Sequence, residues 1–154
     1  MGNKYRHAST VLRILFSGAL TAVLAVQAAM AQALPYVQTL GSIAYISGGI
    51  GLDESTAIKV ERPKWPLTML FAVQGRHRQV YAADVRVRIL DKSQAEIFAV
   101  NEAGPYLLVR LPAGNYTIEA THAGQTQRRV VQIDTSKPQQ QGWSWPEKAG
   151  ETGS

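Results

Sequence analysis

Residues 110–133, RLPAGNYTIEATHAGQTQRRVVQI, alternate apolar and polar side chains on either side of two tight turns. In YTIEATH, Tyr116, Ile118 and Ala120 fall on one face and Thr117, Glu119 and Thr121 on the other, which is the period of a strand buried on one side. Pro112 has the fixed φ that suits the second place of a turn closed by Gly114, and Gly124 can supply a positive φ for the next. TQRRVVQI then returns as the second arm of a hairpin. Tyr116 is expected to bury its ring and hydrogen-bond its hydroxyl to nearby backbone, as a tyrosine corner does. The stretch reads as scaffold.

The same period extends upstream. DVRVRIL sets Val85, Val87 and Ile89 against Arg86 and Arg88, DKSQ turns the chain, AEIFAV (95–100) returns, NEAGP turns again, and YLLVRL (106–111) follows. LTMLFAV (67–73) is a continuous apolar run expected near the centre of a sheet, and SIAYIS (42–47) reads as a further strand. GGIG breaks that strand. LDESTAIKVER (52–62) reads as a helix, with Asp53 and Glu54 at the end where the dipole favours anions and Lys59 and Arg62 at the other. Pro63 ends it, and RPKWP is expected to be an irregular connector. After Ile133 the chain turns polar and rich in Gly, Pro and Gln. These patterns predict an antiparallel β-sandwich of about seven strands with one short N-terminal helix. The expected divisions are a strand, helix and connector over 32–66, the sandwich over 67–134, and a disordered tail over 135–154.

The first residues speak to compartment. Lys4, Arg6 and Arg13 precede an apolar run over 14–26, and Ala29-Met30-Ala31 supplies the small residues of a signal-peptidase site. The run falls short of the roughly 20 apolar residues a membrane span needs, so a cleaved leader over 1–31, with no stable membrane anchor, is expected. Ala33 is the fallback cleavage site, and the absence of cysteine excludes a lipid-anchored form. Residues 1–31 hold three of the 16 Lys+Arg and none of the 11 Asp+Glu, so the remainder carries a net charge of only +2. The basic balance of the whole chain is therefore no sign of nucleic-acid binding.

The stretch GPYLLVRLPAGNYTIEATHAGQTQRRVVQI, preceded by ADVRVRILDKSQAEI, resembles the carboxypeptidase regulatory-like domains of bacterial envelope proteins, within the prealbumin, or transthyretin-like, superfamily. Leu111, Pro112, Gly114, Tyr116 and Gly124 carry the likeness, over roughly residues 80–134. YISGGIGLDE (45–54) is similar to the front end of small secreted proteobacterial proteins with such a domain, a family without an assigned activity. The resemblance implies a prealbumin-like sandwich and leaves function open. Where longer regulatory domains place an Asp-x-x-Gly turn, this chain has Asn101-Glu102-Ala103-Gly104, which keeps the turn but not the leading carboxylate.

Few residues offer chemistry. GGIG before a helix invites a phosphate-loop reading but lacks the following Lys-Ser/Thr, and Asp53-Glu54 already sets negative charge there. Adjacent carboxylates point apart on a helix, so metal binding by that pair is not expected, nor is any cofactor. Beyond the leader the histidines are His77 and His122, without metal-ligand spacing and without a Gly-x-Ser-x-Gly elbow nearby. The transthyretin-like hydroxyisourate hydrolases end in Tyr-Arg-Gly-Ser, and here the chain has Glu151-Thr152-Gly153-Ser154. Arg76, His77 and Arg78 beside Tyr81 make a basic tip that, with Arg86 and Arg88, could read an anionic partner. A solvated face with cross-strand partners such as Glu96 or Glu119 is the preferred reading. Trp143 and Trp145, at i and i+2, point the same way. They are expected to fold back over the sheet, and contact with a partner or sugar is the alternative.

The combined expectation is a non-enzymatic periplasmic or secreted β-sandwich that binds an envelope protein or glycan. Candidate contacts are Arg76, His77, Arg78, Tyr81, Trp143 and Trp145. The alternatives are a degenerate hydrolase using His77 or His122, or a structural periplasmic protein without a specific ligand.

Overall fold

The computed structural model describes residues 33–75 and 78–147. The leader expected over 1–31, the tip residues Arg76 and His77, and residues 148–154 lie outside the described residues. From Pro35 to Glu147 the described residues form a mainly β sandwich of two sheets with one short helix. Strands run β1 (Gln38–Leu40), β2 (Ile43–Gly48), then helix α1 (Leu52–Glu61), β3 (Leu67–Gln74), β4 (Gln79–Tyr81), β5 (Val85–Leu90), β6 (Glu96–Ala103), β7 (Tyr106–Val109), β8 (Gly114–His122), β9 (Gln125–Ile133) and β10 (Gln139–Pro146). One sheet is ordered β1-β2-β7-β3-β10, with β4 on the far half of β3, and the other β6-β5-β8-β9. The described strands thus number ten rather than seven.

The hairpin of β8 and β9 anchors the second sheet. His122 pairs with Gln125, leaving Ala123-Gly124 as a two-residue turn with φ of 48° and 80°. Two positive φ values define the type I′ turn, whose twist matches that of the flanking strands. Tyr116 is buried and its hydroxyl donates to the Pro112 carbonyl at 3.0 Å, closing the corner. Thr117 departs from the alternation. It is buried because the turn after β5 folds over it, with Gln94 Nε2 donating to Thr117 Oγ1 at 3.4 Å.

The first sheet is covered on both faces, which explains the continuous apolar runs in β3 and β7. Tyr45, Val109, Leu67, Met69 and Phe71 face the core between the sheets, together with Val87, Ile89 and Ile118 of the second. On the outer face Ile46 pairs with Leu108, and both are fully buried, as are Ile58 of α1 and Trp65. Trp65 is fixed by its indole N–H donating to Glu61 Oε1 at 3.3 Å and by the Arg110 guanidinium 4.6 Å over its ring. The connector expected to be irregular contains one 3₁₀ turn, Arg62–Lys64, which tolerates Pro63 near its start because the first N–H groups of a helix need no internal partner.

Two expectations need correction. The segment 32–66 does not merely precede the sandwich, since β1 and β2 are strands of the first sheet. The polar tail is not disordered over residues 139–146, where β10 runs parallel to β3 from Gln139 opposite Leu67 to Pro146 opposite Gln74. Parallel pairing needs a long crossover, and the whole second sheet supplies it. The polar residues of QQQGWSWP suit an edge strand, and burial of its two tryptophans holds the strand in place.

Candidate functional site

The sandwich has two lateral seams, and they are built differently. Along the seam where β9 faces β10, side-chain-to-backbone bonds run like rungs. Trp145 Nε1 donates to Gln125 O at 2.9 Å, Gln127 Nε2 to Ser144 O at 2.7 Å, Arg129 Nη1 to Gly142 O at 2.6 Å, and Gln139 Nε2 to Gln132 O at 2.6 Å. The Arg129 guanidinium also lies 4.2 Å over the Trp143 ring. Two of these bonds satisfy edge carbonyls of β10 (Gly142 and Ser144) and two satisfy edge carbonyls of β9 (Gln125 and Gln132), groups that would otherwise be free to pair with another chain.

The opposite seam is open. Among the described residues no hydrogen bond joins β1 to β6. The links on that side are the edge-on contact of Tyr45 with Phe98, 5.2 Å between centroids, and the Gly104 N–H donating to Ser47 Oγ at 2.9 Å. Between them lies a cleft of about 560 Å³, walled by Gln38, Leu40, Tyr45 and Ser47 on one side and by Ala99, Val100, Asn101 and Glu102 on the other. The Tyr45 hydroxyl donates to Gln38 Oε1 at 2.9 Å, which settles the donor and acceptor roles on that wall. No lysine or arginine lines the cleft, and among the described residues Glu102 has no ion-pair partner. Residue alternation did not flag these positions, because NEAGP reads as a turn whereas β6 continues through Ala103.

Among the described residues, the expected contact residues are not brought together. Arg76 and His77 lie outside the described residues. Arg78 is exposed just before β4, and Tyr81, half-exposed, faces outward from the first sheet with its ring 5.9 Å from Tyr106. Burial, then the Tyr81 hydroxyl, push the Tyr106 phenol up to about 12. Arg86 and Arg88 face outward from the second sheet, on the other side of the molecule. Arg88 is clamped between Glu96 at 2.5 Å and Glu119 at 2.8 Å, the cross-strand reading preferred above. Trp143 and Trp145 are buried in the core, so they are removed from the candidate contacts.

His122 sits at one end of the sandwich, beside a pocket of about 200 Å³ lined also by Val73, Gly75, Val80 and Glu147. Its ring packs 5.5 Å from that of Trp145, and its Nδ1 is buried without a hydrogen-bond partner among the described residues. The GGIG loop is occupied by its own chain. A Cβ on Gly48 would run into the Glu54 carboxylate, and one on Gly49 would come within 2.5 Å of the Tyr106 ring. Its glycines allow close packing, with Asp53 and Glu54 in the first turn of α1. Among the described residues no three His, Asp or Glu side chains gather as metal ligands, and no helix is long and apolar enough to cross a membrane.

Compared with known proteins, the chain matches no family model and no curated protein.

Proposed function

We propose that this protein is a non-enzymatic interaction module of the bacterial envelope, exported by a leader in residues 1–31 and built on a sandwich of the carboxypeptidase regulatory-like kind. The observation that carries the reading is the inequality of the two seams. One is latched by four side-chain bonds, while the other leaves a cleft walled by strand edges and polar groups. A surface of this kind suits recognition of an envelope protein or glycan. The hydrolase alternative built on His122 has less support, since a general-base histidine works with its ring oriented by a second group and, among the described residues, His122 Nδ1 meets none.

Capture from intact envelopes with the exported protein as bait tests this reading, scored against a chain lacking residues 1–31. The expected outcome is a discrete partner held only by exported protein, and mass spectrometry of the periplasmic fraction finding a chain that starts at Gln32 or Leu34. A full-length chain in the membrane fraction refutes removal of the leader and favours an anchor. Hydrolytic turnover lost in His122→Ala refutes the non-enzymatic reading.

A further inference from the structure

We propose that the open seam receives a short extended segment of another polypeptide, one carrying a lysine or arginine that meets Glu102. This rests on the interaction reading above and names the partner's chemistry. Among the described residues the outer edge of β6 pairs with no other strand, and its backbone N–H and C=O groups on that side can add a strand, the mode in which main-chain bonds give affinity and alternate side chains give selectivity. Two register shifts against β5 bend β6 near its ends, leaving regular pairing only at Phe98, Ala99 and Val100. A bent edge refuses a long flat strand and admits a short one. The wall from Ala99 to Glu102 is about 13 Å long at roughly 3.3 Å per residue, the span of about four extended residues.

Charge selects the occupant. The cleft presents Glu102 and no basic side chain, so a cationic residue in the incoming segment completes a pair. A second copy of this chain fits poorly. Two β6 strands crossing antiparallel about Ala99 would place Glu96 opposite Glu102 twice, and like charges directly opposed destabilise a strand pair. A neutral glycan would leave the Glu102 carboxylate without a counter-charge.

The test uses fluorescein-labelled hexapeptides in anisotropy titrations against the purified protein. The probes are Thr-Val-Lys-Val-Thr-Val, its counterpart with Glu for Lys, and a counterpart with proline at both threonines. The Lys probe should bind saturably and be favoured over the Glu probe by about two- to fivefold, the range of an exposed ion pair. In Glu102→Lys, which alters an exposed side chain and leaves the core intact, that preference should reverse. The proline probe, which loses the backbone N–H at two of its six residues, should bind about tenfold more weakly, roughly one lost main-chain bond. Three results overturn the inference: no binding of any probe up to about 1 mM, a charge preference unchanged in Glu102→Lys, or chito-oligosaccharide binding that depends on Glu102. Envelope capture that persists while every peptide probe fails would remove the cleft inference and leave the interaction reading standing.

Discussion

Trp143 and Trp145 occupy neighbouring inward positions on β10, yet replacing each by phenylalanine should have different consequences. Both rings are buried, at 1% and 2% exposure. In each case the smaller ring leaves a void costing on the order of 1 kcal/mol. The difference lies in the indole N–H. That of Trp145 donates to Gln125 O at 2.9 Å, and its loss adds about 1 kcal/mol, so Trp145→Phe should cost about 2 kcal/mol in all. That of Trp143 is buried with no partner among the described residues. Removing it relieves a desolvation cost of about 1–3 kcal/mol, set against about 0.5 kcal/mol for a weaker Arg129 contact. Trp143→Phe should therefore fall between about 0.5 kcal/mol destabilising and about 1.5 kcal/mol stabilising, giving a Tm above that of Trp145→Phe by about 6–14 °C at roughly 4 °C per kcal/mol. Calorimetry on the two variants and the parent measures this directly. Equal losses in both would show that the Trp143 N–H is satisfied in solution, and the reasoning would fail.

The type I′ turn offers a gain as well as a loss. Ala123 holds φ of 48°, so Ala123→Asn should raise stability by about 0.5–1 kcal/mol in urea unfolding, whereas Gly124→Val should lower it, because a β-branched residue resists φ of 80°. Tyr116→Ala should cost about 3–5 kcal/mol, while Tyr116→Phe, which loses only the bond to Pro112 O, should cost about 1 kcal/mol by the same assay. Tyr106 makes the fold sensitive to alkali. Its folded pKa stands near 12 against 10.0 for a free tyrosine, so its contribution is complete below pH 10.0 and is lost as pH rises towards 12. Urea midpoints across that window should fall less steeply in Tyr106→Phe, and an identical slope would remove Tyr106 as the cause.

Legibility in the sequence followed locality. Strands β5, β8 and β9 were readable because alternation and turn residues are encoded within a few positions, as in Val85, Val87 and Ile89 or Ala123-Gly124. The short strands β1 and β4, three residues each, hold too few positions to show a period. In β6, the register shift past Val100 let NEAGP look like a turn, although pairing with β5 carries the strand to Ala103. The cleft was therefore invisible, since Glu102 becomes notable only once the strand it sits on and the wall facing it are known.

By itself the sequence determined a β-sandwich with inward and outward faces, a buried corner at Tyr116 and a helix between Gly51 and Pro63. Those follow from nearest neighbours along the chain. The tertiary structure alone decided that a polar, Gln-rich segment becomes β10, that Arg129 and Gln127 latch one seam, and that the other seam stays open beside Glu102. Edge pairing is a contract between residues far apart in the chain, and Gln139 meets Leu67 only after the whole second sheet has been laid down between them.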